Sequence, residues 1–469
     1  MTDFLPIGLP RYWLKHHAGW LLRALIITGV LLTSVILARC PSWRYLALLA
    51  AAGAVVLFLR WPPMGLAVLI SANFIAPWAL GTGSQTELHL GLLLLCLLLA
   101  LWLLDMLVVR RQVSLLPSRP ILPLLALVLT ATLAFVAGQL RWFLFAQPAP
   151  LPAQLSGLAI FWLSAGAFLL AAHQVHDLRW LARLTWLFLT LGGLFVLARL
   201  LPGPVHSLVQ MVQKGATGSL FWTWLVALAF SQAAFNRDLR RSVRLALGGL
   251  VLGTFYVGLS QARAWASGWL PPLAALAVVL WAGAPRLGLL AALASGVSAA
   301  FSMPRVISLV MVGDQQYSLI TRWEAWRILA QIVRVNPLLG LGPANYYHYT
   351  LLYPILGWTV NFNSHNQYVD LVAQTGLLGL ACFMWFAWAV GRLAWELRSH
   401  APQGFARSYV LGALGGLAGT LVAGLLADWV LPFVYNIGLA GLRASTLGWL
   451  FLGGLVAVER LGGAPQGQE

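Results

Sequence analysis

The chain is a row of apolar runs, each close to the length that crosses a bilayer. Fourteen of them lie near 21–38, 45–59, 64–80, 88–108, 121–137, 155–172, 183–201, 219–235, 243–259, 266–282, 286–301, 366–390, 408–427 and 441–458. A helix needs roughly 20 apolar residues to cross the hydrocarbon. Lipid offers the backbone no hydrogen bonds, so such a run folds as a helix that satisfies its own amides. The expected fold is all-α, a polytopic integral membrane protein of about 12–14 transmembrane helices, the range reflecting several short runs. With 60% hydrophobic and 9% charged residues, against roughly 25% charged in water-soluble domains, a soluble enzyme is excluded. The 23 Trp, 21 Phe and 11 Tyr suit the two interface belts of a bilayer protein. Run 21–38 resembles a signal peptide, but no small-x-small cleavage site follows, and Arg39 before Cys40 spoils a lipoprotein-type site. A first anchor is expected there. Cys40, Cys96 and Cys382 each stand alone, which suggests neither a disulfide framework nor a zinc site, and no cofactor is expected.

Charge placement orients the row. With the N-terminus inside, 18 of the 29 basic residues fall on the cytoplasmic side, including the clusters Arg110/Arg111 and Arg237/Arg240/Arg241/Arg244. The positive-inside rule requires this, so both termini are expected in the cytoplasm. Eleven basic residues remain outside: Arg39, Arg44, Arg141, Arg199, Lys214, Arg263, Arg305, Arg322, Arg327, Arg334 and Arg443. Five acids face the same side (Glu87, Asp314, Glu324, Asp370 and Asp428), an excess of six cations that favours an anionic substrate. The net charge of +17 is dispersed between apolar runs, which points to topology and anionic lipid and away from nucleic acid.

The longest non-spanning segment, 302–364, is expected as an extracytoplasmic loop bearing amphipathic helices. It divides the chain into an N-terminal helix bundle at 1–301, the loop at 302–364 and C-terminal helices at 365–469. Within it, Trp323, Trp326 and Leu329–Ala330 recur at helical spacing with Arg322 and Arg327 beside them, the pattern of a helix lying on a membrane surface. Asn336-Pro337 ends that helix and Gly340-Leu341-Gly342-Pro343 turns the chain.

His365 is the most informative single residue. It sits where the loop enters a span, with the pKa of a proton acceptor at neutral pH; a histidine at a helix start at the interface is the alternative. Arg263, in Ser260-Gln261-Ala262-Arg263, Arg322, and Lys214, before Gly215-Ala216-Thr217-Gly218, lie on the outer side. They suit a phosphate or snorkelling to lipid headgroups. Asn366 and Gln367 offer sugar contacts or helix capping. Tyr346, Tyr347 and His348 offer an acceptor groove or an aromatic belt. Asp370, five positions after His365, falls off its helical face, so a solvated role is as open as orienting the imidazole. Asp428, at a span end where charge is costly, points to a function without naming one. The outer acids are scattered singly, with no Asp-x-Asp pair of the kind that holds a divalent cation on a diphosphate, so no metal is expected.

The stretch 322–380 resembles the O-antigen ligase and polymerase superfamily of bacterial envelope glycosyltransferases. The matching residues are Arg322-Trp323-Glu324-Ala325-Trp326, Asn336-Pro337-Leu338-Leu339-Gly340-Leu341-Gly342-Pro343-Ala344-Asn345, His365-Asn366-Gln367-Tyr368 and Thr375-Gly376-Leu377-Leu378-Gly379-Leu380, in the family's order and spacing. The Ser260…Arg263 element is similar to a further family motif. The resemblance implies a GT-C-like, metal-independent enzyme at the outer face of the inner membrane, taking a glycan from undecaprenyl diphosphate. Ligases pass it to a lipid A–core acceptor, polymerases to another lipid-linked repeat, and relatives to protein. It implies His365 as base or acceptor-binding group, with Arg263 also catalytic, and Arg263, Arg322 and Lys214 as the diphosphate clamp. The chain departs from the family pattern at Gln374, where glutamate is frequent, and at Lys214, where ligases carry arginine; lysine keeps the charge without the paired hydrogen bonds. A lipid-linked glycan transporter would need charges through the span centres, whereas here most lie at span ends. A passive scaffold would leave the His365-Asn366-Gln367-Tyr368 constellation unexplained.

Overall fold

The computed structural model describes residues 28, 43–76, 79–81, 87–201, 218–261, 265–294 and 314–462. The chain forms two compact units, Met1–Trp61 and Pro62–Glu469. The first contains α1 (Trp43–Arg60). The second begins with α2 (Pro62–Ile75) and a two-stranded antiparallel hairpin, β1 (Ala79–Gly81) and β2 (Glu87–His89). It continues through α3 (Leu90–Leu104), α4 (Ile121–Ala137), α5 (Leu151–Gln174), α6 (Leu178–Leu200), α7 (Ser219–Phe235), α8 (Arg241–Gln261) and α9 (Ala266–Gly283). Then come α10 (Pro285–Ala294), α11 (Asp314–Ile332), the single turn α12 (Tyr346–Tyr349), α13 (Gln367–His400), α14 (Phe405–Leu426) and α15 (Leu442–Gly462).

Every apolar run outside 21–38 coincides with a helix, and 21–38 lies outside the described residues but for Thr28. Among the described residues eight helices are long and apolar enough to cross a membrane, and four more are apolar but shorter. The chain is thus a mostly helical protein of polytopic membrane character. Two runs are shorter than expected. The run 64–80 stops as a helix at Ile75, about 21 Å long, because the chain turns into the hairpin. The run 286–301 is helical over Pro285–Ala294, and 295–301 lies outside the described residues. The described part of the segment 302–364, residues 314–364, belongs to the same compact unit as the helices around it.

α15 is the centre of the bundle, almost wholly buried against α5, α7 and α14. Small residues allow these close approaches: Gly453 sits on the Phe168 carbonyl of α5 and Gly448 on the indole of Trp224 in α7. Phe188 meets Phe74, Phe221 and Phe451 edge-on at 4.9–6.1 Å, tying α6 to α2, α7 and α15. The bundle has two chemically distinct ends. At one, Ser118 bonds Glu459 (2.5 Å), Arg119 bonds Glu396 (2.7 Å) and the Leu116 amide bonds His173 (3.0 Å). Arg110, Arg111, Arg179, Arg237, Arg240, Arg241, Arg398 and Arg460 lie in the loops and helix ends of this side. At the other, Arg443 donates to the Ala76 carbonyl (2.9 Å), His89 contacts the Leu439 carbonyl (3.2 Å) and Asn345 donates to Gly138 (3.1 Å).

The second end is built on a broken helix. α13 is 34 residues long but breaks at Gly376, where φ is 69° and ψ −172°. The break exposes the carbonyls of Ala373 and Gln374, which accept the amides of Leu341 and Gly342 at 3.0 Å. In return the amides of Leu377 and Leu378 donate to Pro337 and Leu338 (2.8 and 3.2 Å). Four backbone bonds therefore dock segment 336–345 onto the break, and Gly340 (φ 67°) and Gly342 (φ 86°) let the segment curl around it. Gly376→Ala is expected to cost about 4 kcal/mol, since its conformation is essentially glycine-only and a Cβ would collide with the Leu338 carbonyl. Gly357, also at positive φ (87°) but with open space around it, is the control: its alanine variant should lose only about 1 kcal/mol. Thermal unfolding in detergent distinguishes them, and equal losses would show that the docking contributes nothing.

Candidate active site

α11 packs its Ala325, Ile328, Leu329 and Ile332 face into a core with Leu341, Tyr346, Tyr349 and Phe433. Of the apolar set expected to lie on a membrane surface, Trp323 is 68% exposed and Ala330 is exposed, while Leu329 is buried in this core. Trp326 turns inward and donates its indole N–H to the Ser364 carbonyl (2.8 Å). Arg322, half-buried one turn earlier, donates to the carbonyl of Leu426, the last residue of α14 (3.0 Å). A guanidinium there also offsets the negative end of that helix.

The start of α13 pins the facing wall. Asn366 is the N-cap, its side-chain oxygen accepting the amides of Tyr368 and Val369 (3.0 and 3.2 Å) while its amide donates to Leu425 (3.1 Å). Gln367 accepts the Val430 and Leu431 amides (3.1 and 2.8 Å), and the Tyr368 hydroxyl donates to Leu421 (2.7 Å). Asn366 and Gln367, candidates for sugar contacts, are thus engaged in holding the end of α14 and the segment after it. Both are buried.

His365 precedes this cap with φ at 48°, a left-handed conformation that costs a side-chain-bearing residue about 1–2 kcal/mol. Glycine would adopt it freely, so histidine here carries a conformational cost that glycine would not. The ring is exposed into a cavity of about 430 Å³ lined also by Ser318, Thr321, Arg322, Ala325, Tyr347, Ile355, Asn361, Phe362 and Asn363. The imidazole makes no hydrogen bond among the described residues. Burial, and then the positive charge of Arg322, push its pKa below the usual 6.5, so it is neutral and able to accept a proton at pH 7. Burial also lowers the Arg322 pKa, from so high a starting point that the guanidinium stays charged. A proton acceptor and a fixed cation therefore share one cavity, with Ser318, Thr321, Asn361 and Asn363 among its polar lining residues. A second cavity of about 480 Å³, between α6 and α8, is apolar and lined by no titratable group.

The neighbouring tyrosines divide. Tyr347 lines the cavity and stacks on Tyr435 (4.5 Å between rings), whose hydroxyl lies 3.0 Å from Nε2 of His348. Tyr346 is fully buried, stacked on Phe433 (4.7 Å), and its hydroxyl bonds Asp370. Burial, followed by the Asp370 charge, raises its pKa well above 10, which keeps it a donor. Asp428, 1% exposed, accepts the Phe433 amide (2.7 Å) and the Asn436 side chain, and burial raises its pKa. Gln374, where the resembled family often carries glutamate, is buried and accepts the Ala344 amide (3.4 Å).

Lys214 and Arg263 lie outside the described residues. The described residues nearest them meet on one side chain: the Trp265 ring packs edge-on against Trp429 at 6.0 Å, and Gly218 lies against the same indole. Trp429 follows Asp428, three residues after the Leu426 carbonyl that Arg322 holds. Sequence reasoning missed Ser364, Asn361 and Asn363. Asn361 and Asn363 carried no spacing signal; Ser364, next to His365 and the Asn366 cap, carried one in its position before the helix start.

No known protein family matches the chain, and no characterised protein matches it.

Proposed function

We propose that the protein is a glycosyltransferase of the O-antigen ligase type, moving a glycan from undecaprenyl diphosphate to a lipid A–core acceptor at the outer face of the inner membrane. The observation that carries this is the imidazole of His365, without a hydrogen bond among the described residues, in one cavity with the Arg322 guanidinium at the less basic end of the bundle. The other end holds the dense arginine loops, so the positive-inside rule puts the cavity outside the cytoplasm, where lipid-linked glycans are assembled. The resemblance of 322–380 to the ligase and polymerase superfamily supports the same reading.

In this mechanism the acceptor hydroxyl attacks the anomeric carbon as the bond from that carbon to the diphosphate oxygen breaks. The hydroxyl proton passes to His365, and undecaprenyl diphosphate departs with the electron pair, stabilised by preorganised arginine charge in place of a divalent cation. Attack opposite the leaving group inverts the anomeric centre. By the same resemblance, Arg263 and Lys214 of this chain complete the diphosphate clamp, Lys214 standing where ligases of the family carry arginine.

Reconstituted liposomes test the proposal. With undecaprenyl-diphosphate glycan as donor, new glycan on lipid A–core is the expected product. Longer lipid-linked chains formed without that acceptor would make the protein a polymerase, and donor crossing the bilayer with no new glycosidic bond would overturn the enzyme reading.

A further inference from the structure

The His365 ring has no hydrogen bond to orient it, so its aim into the cavity comes from the backbone on either side. That backbone is held by unusual means. Ser364 is fully buried; its hydroxyl shares one hydrogen between Oδ1 of Asp370 and the Asn366 carbonyl (2.8 Å each) and accepts the Asn366 amide (2.9 Å). Its carbonyl takes the indole N–H of Trp326 (2.8 Å). The two neighbours of His365 in the chain are thereby tied to each other, to α11 and to α13, with the strained residue between them. Asp370 is also fully buried, and the same Oδ1 accepts the hydroxyl of Tyr346, next to the cavity-lining Tyr347. One carboxyl oxygen thus fixes two walls of the cavity, the 361–365 wall and the α12 wall. Direct contact between Asp370 and His365 is not needed for this. A buried acid is expensive where an apolar side chain would pack, so its place here calls for a reason beyond stability.

We infer that Asp370 is a positioning residue for the reaction, acting through Ser364 to hold His365 in its left-handed backbone conformation with the ring facing the substrate. The inference rests on the reading of His365 as the base that activates the acceptor.

Three variants test it against wild type, Asp370→Ala, Asp370→Asn and Ser364→Ala, each purified in detergent and checked for a monodisperse fold. Asparagine keeps an oxygen where Oδ1 accepts both hydroxyls; alanine removes it; Ser364→Ala cuts the link while leaving Tyr346 on Asp370. In the liposome transfer assay, Asp370→Ala and Ser364→Ala should lose about 10–100-fold in kcat, the scale of a catalytic group displaced by an ångström, with KM for the donor changed less than about threefold. Asp370→Asn should stay within about threefold of wild type. The same proteins, labelled at histidine Cε1, report the ring directly by NMR, with the His365 signal assigned from His365→Gln. That signal should shift or broaden in Asp370→Ala and Ser364→Ala and be retained in Asp370→Asn.

An unmoved His365 signal in Ser364→Ala overturns the inference whatever the activity, and so does an Asp370→Asn protein as impaired as Asp370→Ala. If wild type transfers no glycan yet the signal follows the expected pattern, the functional reading fails and the positioning stands.

Discussion

His365→Ala should lower glycan transfer about 10²–10⁴-fold, the usual worth of a positioned general base, with donor affinity nearly unchanged. The ring makes no hydrogen bond among the described residues, so its removal breaks no internal hydrogen bond and the loss falls on chemistry. The pH profile carries a sign. A base works in its neutral form, and burial together with Arg322 lowers the His365 pKa from 6.5. The wild-type rate should therefore hold level through pH 7 and fall only on the acid side of 6.5 as the ring takes up a proton. A limb centred above pH 7, or a His365→Ala protein retaining more than a tenth of the rate, would remove the residue from that role.

Arg322→Ala should cost about 10²–10³ in kcat, as loss of one preorganised charge-stabilising donor does elsewhere. It should also move the acid limb upward, because the cation that helps hold the His365 pKa down is gone; burial, the larger cause, remains. The two effects separate chemistry from packing. Arg322 also bonds the Leu426 carbonyl, so a protein merely loosened at the end of α14 would lose activity without that upward shift. Arg322→Lys keeps the charge but not the planar fork. It should leave the limb near its wild-type position while recovering only part of the rate, and full recovery would argue against paired hydrogen bonds to a diphosphate.

The helices were legible because each is a long apolar run, and hydropathy alone locates one. The run 219–235 coincides with α7 residue for residue. Less legible was the end of α2, where a three-residue ladder replaces helix after Ile75: short strands leave too little pattern to detect. The buried face of α11 was not legible, because Trp323 and Trp326 drew attention to the stripe expected on the membrane surface. Trp323 stays outside while the smaller Ala325 and Ile328 carry the packing. At the site, residue type identified His365 and Arg322, and the structure brings them into one cavity. What spacing could not show is the left-handed turn at His365. Five positions along a helix separate two side chains, and five positions across a turn and a cap allow a connection through Ser364. Asn366 and Gln367 were ambiguous for a related reason, since capping and sugar binding ask for the same amides.

The join between 336–345 and the break in α13 is made mainly by peptide groups, to which side chains add the Gln374 contact with the Ala344 amide and the absence of a Cβ at Gly376. Such a joint is indifferent to most substitutions and intolerant of altered spacing. The cavity-wall residues Tyr347, Asn361, Phe362 and Asn363 take no part in these backbone bonds, so substituting them should leave the register of the frame that presents them unchanged. A chain built this way holds its scaffold constant and leaves the recognised molecule open to change, so that new specificities arise by replacing wall residues one at a time.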